Sequence, residues 1–393
     1  MATTAEQVRS YRGPAILSFG FRPFFLSAAI WAALVMVLWL PVLAGQLVLP
    51  TALGPIEWHA HALLYGFVPA AVAGFLLTAV PNWTGRLPVT GKPLLALFLL
   101  WLAGRIAVFT SGWIGAPLAA VIDLSFLATL AAVVAREIIA GKSTRNLKVL
   151  IVLGVLFLGN VTFHAEILLG LGAEYGIRAG IAAIILLIML IGGRIIPSFT
   201  RNWLVRRSPG RLPVPFSRFD AAVMAFSGAA LALWIVLPEA DATAVLAVFA
   251  GLLNVVRLGR WAGERTTAEQ LVLVLHVAYA FIPLGFLLLA TSIWAPEVLL
   301  PSGALHAWTA GAMGLMIMAV MTRASLGHTG QPLTATRGIT AIYIATFIAA
   351  LARIVAGFGV AREPMLHLSA TAWVVGFAGF AVIYAPLLTR PRG

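Results

Sequence analysis

The stretch that decides the fold is residues 57–80, EWHAHALLYGFVPAAVAGFLLTAV. It is mostly apolar over about 20 residues, the length of an α-helix that crosses a bilayer. Its first turns nevertheless carry two histidines, His59 and His61. A barrel strand would alternate polar and apolar residues, and any other spanning segment must satisfy its own backbone hydrogen bonds. The stretch therefore predicts a membrane-spanning helix with metal-ligating side chains at one end.

Similar apolar stretches recur along the whole chain of 393 residues. The sequence is 61% hydrophobic and 10% charged, with a mean hydropathy of +1.01. A water-soluble domain of this size needs a more charged exterior. We predict an all-α polytopic membrane protein with about 12 transmembrane helices, and we treat residues 1–393 as a single membrane domain. The helices are expected near residues 23–46, 57–80, 92–112, 117–140, 148–170, 176–199, 218–238, 241–258, 269–293, 303–325, 336–358 and 364–388.

The distribution of positive charge predicts the topology. If the N-terminus is cytoplasmic, most of the 26 Lys and Arg residues, from Arg9 to Arg392, lie on the cytoplasmic side, as the positive-inside rule requires. Both termini are then cytoplasmic. The longest loop, about 200–217, is basic and separates six helices over about 23–199 from six over about 218–388. Because the basic residues are spread among short loops, we expect no nucleic-acid partner. The polar start, residues 1–22, lacks a cleavage signal and is expected to be retained.

Cysteine is absent, which excludes disulfides, thiolate zinc sites and cysteine-ligated iron–sulfur clusters. Histidine is then the main candidate ligand, and the chain has seven. Five lie near the predicted outer ends of four helices, one lies in the inner half of the ninth helix, and one follows the tenth. In that order the metal-ligand candidates are His59, His61, His164, His306, His367, His276 and His328.

Alternative roles remain open for these histidines. Two from different helices can hold a haem, and three can hold copper. His59 and His61 point about 200° apart on a helix, so they share one metal only if His59 lies in the entry turn. Tyr65 shares a helical face with His61, and Asn160 shares one with His164. A histidine at a helix end can also be a solvated cap.

Five charged residues lie at a similar depth in the predicted outer half of the membrane. Ionisable groups there cost several kcal/mol, on the order of 2.5 or more, unless they are paired or hydrated. Arg105 and Arg353 are expected to pair with Asp123, Glu57 or a haem propionate, or else to extend to the interface. Glu57, Glu166 and Asp123 are candidate catalytic proton carriers, because a desolvated carboxylate can titrate near neutral pH.

Several motifs resemble the NnrS family. They are residues 21–25 (FRPFF), 58–61 (WHAH), 74–80 (GFLLTAV), 83–85 (WTG) and 321–330 (MTRASLGHTG). The resemblance extends over essentially the full length. It implies a haem- and copper-containing protein of the bacterial inner membrane that is linked to nitric oxide and nitrosative stress. The family often has a carboxylate directly after the second histidine of Trp-His-x-His. This chain has Ala62 there, so Glu57 or Glu166 substitutes, or the role is absent.

With this resemblance, the sequence predicts a haem protein, b-type, that reduces nitric oxide to nitrous oxide with electrons from membrane quinol. His61 and His306 are the first candidates for haem ligands. His59 and His164 follow, for a second metal or the other haem face, and His276 for a separate inner site. Arg105 and Arg353 are expected at the propionates. The alternatives are a non-catalytic nitric oxide-binding stress or sensor protein and, with no sequence repeat in its favour, a transporter.

Overall fold

The computed structural model describes residues 11–207 and 209–391. Within these residues there is no strand, and 12 helices are long and apolar enough to cross a membrane. They are α1 (Phe21–Leu43), α2 (Pro55–Thr84), α3 (Gly91–Phe109), α4 (Ala116–Ala140), α5 (Thr144–Leu168), α6 (Glu174–Leu204), α7 (Arg218–Val236), α8 (Asp241–Gly259), α9 (Gln270–Trp294), α10 (Pro301–Thr329), α11 (Arg337–Gly357) and α12 (Arg362–Thr389).

The predicted fold class and helix number are confirmed. The cytoplasmic location of both termini and the single membrane domain stay predictions. Arg9 and Arg392, which entered the charge argument, lie outside the described residues, as does Ser208 in the basic loop.

Two helix ends differ instructively from the predicted ones. α2 continues past residue 80 through Pro81 and ends where Gly85 adopts a left-handed conformation, with φ of 69°. α10 continues to Thr329, so His328 lies inside the helix and the prediction that it follows the helix is wrong. No proline interrupts the helix, which continues through Gly327 and ends before Gly330, whose φ is +80°.

The chain divides into two compact units. The first comprises Met1–Gly180, Met321–Pro332 and Phe377–Gly393, and the second comprises Ile181–Val320 and Leu333–Gly376. In the first unit, α2 packs against α1, α3 and α4. Small side chains permit this approach, since Ala28, Ala29 and Ala32 of α1 are fully buried. In the second unit, α9 packs against α8, and α9 and α11 contact α10.

Two helices contain a π-helical segment, which the sequence did not predict. In α2 it spans Ala62–Phe67, and in α10 it spans Ala307–Leu315. Each begins directly after a histidine, His61 or His306, within the shared pattern His-Ala-x-x-x-Gly. The pattern is a short local repeat between α2 and α10. Because π segments are uncommon and concentrate at functional sites, both histidines lie at positions that merit a chemical explanation.

Candidate metal centre

Three potential metal ligands meet in the first unit. His61 Nε2 lies 3.1 Å from Asp123 Oδ2, and His164 Nε2 lies 3.0 Å from the same oxygen. One ligating atom from each residue lies within 4.8 Å of the others, and all three residues are buried. Among the described residues, this is the group of His and carboxylate side chains that could hold a metal ion.

Antiparallel helix order explains why these residues meet. His61 lies about two turns after the start of α2, and Asp123 lies about two turns after the start of α4. His164 lies about one turn before the end of α5. Consecutive spanning helices reverse direction, so the starts of α2 and α4 and the end of α5 lie at one membrane face. The sequence predicts that these three residues lie at a similar depth in the membrane. In the structure they contact one another within the first unit.

Asp123 is held by two further donors. Arg105 Nη2 forms a salt bridge with Oδ1, and Asn160 Nδ2 donates to Oδ2 over 2.8 Å. Arg105 Nη1 also donates to the Tyr65 carbonyl over 2.8 Å, so the guanidinium links α2 and α4. A buried carboxylate is stabilised when it is both paired and hydrogen-bonded. The predicted pairing of Arg105 with Asp123 is present, and it keeps the carboxylate oriented toward the two imidazoles.

Close helix approach depends on glycine at this site. A Cβ on Gly66 would lie 2.5 Å from Arg105 Nη1, and a Cβ on Gly104 would lie 3.0 Å from Asp123 Oδ1. Any larger residue at Gly66 would displace the guanidinium. The glycines therefore provide the space in which the charged pair is packed.

Aromatic rings fill the space around the imidazoles. The Phe163 ring lies 5.0 Å from that of His61, the Tyr65 ring lies 5.6 Å away, and the His164 ring lies 5.0 Å away. The Tyr65 hydroxyl donates to the Gly176 carbonyl over 2.5 Å, which fixes the phenol at the start of α6. Sequence reasoning placed Tyr65 and Asn160 on ligand-bearing faces but assigned them no role. Their four-residue spacing from His61 and His164 was the available signal.

The arrangement fits a single metal ion and does not fit haem on His61 or His164. Ligand bonds of about 2.0–2.2 Å place donor atoms within the separations seen here, and two imidazoles with one carboxylate are a set that copper, iron and zinc accept. Haem iron would require an unobstructed Nε2 facing a porphyrin plane. Both Nε2 atoms instead point at Asp123, and Phe163 packs against His61.

The other predicted carboxylates have different surroundings. Glu166 accepts from the backbone N–H groups of Tyr175 and Gly176, at 3.0 and 2.8 Å, and so caps the start of α6. Glu57 lies partly exposed in the first turn of α2, where its carboxylate folds back over Gly54. Of the three predicted proton carriers, the structure brings only Asp123 to the histidine pair.

The remaining histidines lie elsewhere. In the first unit, the His59 ring stacks on Trp39 at 4.2 Å, and His328 packs against Phe19 and Phe21. In the second unit, His276 Nε2 lies 2.7 Å from Thr200 Oγ1, and His306 Nδ1 lies 2.6 Å from the Ser302 carbonyl. His367 is exposed near the start of α12, and Arg353 is half-buried in α11. Their predicted ligand and propionate roles stay predictions.

The second unit contains a buried ion pair that sequence reasoning missed. Arg257 is fully buried and donates to Asp220 Oδ1 at 3.1 Å, to the Tyr279 hydroxyl at 2.8 Å and to the Met189 carbonyl at 3.2 Å. Tyr279 donates onward to Asn254. Arg257 is one of the Lys and Arg residues from which the cytoplasmic side is predicted, and the sequence gives it no further role. The closeness of Asp220 to the start of α7 and of Arg257 to the end of α8 was the signal for this pair.

Fold and site together define a class: a multi-pass α-helical membrane protein with a buried His/Asp/His group that could bind a metal. The NnrS protein family matches residues 15–392, nearly the whole chain, and the chain belongs to that family. Membership links the protein to nitric oxide and to a metal. A comparison with curated proteins finds no match.

Proposed function

We propose that this protein binds nitric oxide at a metal ion held by His61, Asp123 and His164, and reduces it to nitrous oxide with electrons from membrane quinol. The observation that carries the proposal is the convergence of three ligating side chains on one buried point among apolar helices. Buried ionisable groups in a membrane segment are costly, and their retention favours a functional role.

The chemistry suits the location. Nitric oxide is small, neutral and soluble in lipid, so a site among helices meets it directly. Two nitric oxide molecules, two electrons and two protons give one nitrous oxide and one water. A bound copper or iron ion would supply the binding of nitric oxide and the electron transfer.

The surrounding residues have defined tasks in this proposal. His61 and His164 donate imidazole nitrogen, and Asp123 donates one carboxylate oxygen. Arg105 holds the other carboxylate oxygen and so fixes the direction of the first. Phe163 excludes water from one side of His61. Glu57 is the candidate proton carrier, because it is partly exposed at the start of the helix that carries His61.

A haem is proposed on His306 rather than on His61. A carbonyl oxygen only accepts, so His306 Nδ1 must donate to Ser302, and the lone pair is then on Nε2. This is the tautomer that ligating histidines adopt. The absence of cysteine excludes the thioether attachment of a c-type haem, and we propose a non-covalently bound haem of the b type. Arg353, in the same unit, is the proposed propionate partner.

Activity and metal content of purified protein test the proposal. Wild-type protein supplied with reduced quinol should consume nitric oxide and release nitrous oxide. His164→Ala should lose consumption together with non-haem metal, whereas the exposed surface variant Glu174→Gln should keep both. No nitric oxide consumption by metal-loaded wild-type protein would contradict the catalytic proposal.

The second candidate function is non-catalytic binding of nitric oxide by the same centre. The closed packing of aromatic rings around His61 favours it, since two substrate molecules need more room than one. It predicts a spectral shift with nitric oxide but no nitrous oxide in the presence of reduced quinol. The same assay therefore separates the two functions.

A further inference from the structure

A small cavity adjoins the metal-ligand group. It has a volume of about 10 Å³ and lies within the first unit. Its walls are largely apolar, with Val108 from α3, Ala119 from α4 and Ile167 from α5, and its two polar lining residues are Ser111 and His164. The imidazole of His164 thus borders the cavity while its Nε2 faces Asp123.

The volume restricts what the cavity can hold. A space of about 10 Å³ accommodates roughly one water-sized molecule. A quinol ring or a porphyrin is far larger and would require the helices to separate. A diatomic molecule is the chemical class that matches this size.

The polarity of the lining favours a neutral guest over water. Ser111 Oγ donates to the Val108 carbonyl at 2.8 Å and accepts from the Ala52 N–H at 2.8 Å, and it also lies 3.1 Å from the Thr51 hydroxyl. These contacts occupy the hydroxyl within the protein. An ordered water needs about two to four polar partners, and this lining offers few. The cavity is therefore suited to an apolar gas.

We propose that this cavity is the binding pocket through which a neutral diatomic gas reaches the metal beside His164. The inference rests on the proposed function, because it assumes a metal on the His61, Asp123 and His164 group. It adds a residue that controls access: Ala119, a small buried side chain on α4 that lines the pocket. Enlarging this side chain closes the pocket, and shortening Val108 widens it.

The test uses carbon monoxide as the probe gas on purified, reduced, full-length protein. Time-resolved infrared spectroscopy follows, after photolysis, the carbon–oxygen stretch that is lost in His164→Ala, which separates carbon monoxide at this metal from carbon monoxide on the haem proposed at His306. Ala119→Leu should slow rebinding about tenfold with unchanged metal content, since an overpacked wall obstructs entry. Val108→Ala should accelerate rebinding about threefold, because it removes bulk from the same wall.

A matched control and two separable outcomes complete the design. Ala128→Leu makes the same change at an exposed position of α4 and should leave rebinding unchanged. If wild-type protein shows a bound carbon monoxide band and all three variants rebind at its rate, the pocket proposal is wrong and the metal proposal stands. If metal-loaded wild-type protein gives no band, the metal proposal fails as well. Val108→Ala keeps the test decisive should Ala119→Leu fold poorly.

Discussion

Asp123 is the residue on which the candidate centre depends. Its two carboxylate oxygens contact four side chains from three other helices. These are His61 of α2, Arg105 of α3, and Asn160 and His164 of α5. These contacts join α2, α3 and α5 to α4 through one carboxylate. A ligand fixed from several sides is pre-organised for a metal, because little reorientation is needed on binding.

Replacing Asp123 by Asn should remove the metal and destabilise the protein. The amide keeps the size of the carboxylate but loses its charge, which leaves Arg105 buried without an anion. Removing one partner of a buried ion pair costs about 3–5 kcal/mol. We expect metal content measured by mass spectrometry to fall nearly to zero and the thermal midpoint to fall.

The matched control is Asp241→Asn, at an exposed helix start that accepts from Trp294. Asp241→Asn should leave both the metal content and the thermal midpoint close to the wild-type values. Full metal content in Asp123→Asn would show that the carboxylate is not a ligand.

At the scale of the element, the π segment of α2 sets the direction of His61. The segment adds extra backbone per turn between Ala62 and Phe67, directly after the histidine. One residue more or less in a helix turns the two flanking parts by about 100° relative to each other. The π segment is therefore needed for His61 to face Asp123 while the rest of α2 keeps its buried face toward the neighbouring helices.

Deleting Leu63 should therefore abolish metal binding while the helix persists. The deletion permits regular α-helical hydrogen bonding but turns His61 away from Asp123. We expect unchanged helix content by circular dichroism and a loss of bound metal. Deletion of Gln46, in the exposed loop before α2, shortens the chain equally without rotating His61 and should keep the metal. Retained metal after Leu63 deletion would argue against this role.

The turn between α8 and α9 gives a pH-dependent prediction. Its Glu264 accepts from Arg211 at 2.7 and 2.8 Å, and this hydrogen bond lowers the pKa of the Glu264 carboxyl below its usual value. A lowered folded-state pKa stabilises the fold above the unfolded pKa, and this stabilisation is lost as pH falls through the folded value. The pair is solvent-exposed, so the effect is small.

Glu264→Gln should accordingly lower the thermal midpoint slightly at neutral pH. The difference from wild type should shrink as the pH is lowered through the depressed pKa of Glu264. Thermal melts across acidic and neutral pH measure this. If the difference in thermal midpoint between wild type and Glu264→Gln grows as the pH falls, the Glu264 carboxyl does not stabilise the fold in its charged form.

The position of each helix follows from the sequence, whereas its rotation about its own axis does not. Apolar stretches near 20 residues long predict the 12 helices that, among the described residues, are long and apolar enough to cross a membrane, because lipid imposes length and hydropathy together. The positions of His61, Asp123 and His164 along α2, α4 and α5 predict that the three residues lie at a similar depth in the membrane. Rotation about the helix axis was not predictable, because the π segment breaks the regular period from which facing is inferred. The family resemblance suggests His61 as a haem ligand, whereas in the structure His61 Nε2 lies 3.1 Å from Asp123 Oδ2.

At the scale of the whole molecule, the positive charges predict the orientation of the protein in the membrane. The distribution of Lys and Arg residues predicts that both termini are cytoplasmic. A fluorescent protein fused to the C-terminus should therefore fluoresce, and a periplasmic phosphatase fused there should stay inactive. An active phosphatase at that end would invert the topology and place the metal-ligand group near the cytoplasmic face.

The account is tested most directly by X-ray absorption spectroscopy at the metal edge of purified wild-type protein. It predicts a mononuclear non-haem ion with only nitrogen and oxygen neighbours at about 2.0–2.2 Å and imidazole scattering from two histidines. His164→Ala should remove the ion and with it this signal. A spectrum accounted for entirely by haem iron, unchanged in His164→Ala, would contradict a metal centre at His61, Asp123 and His164.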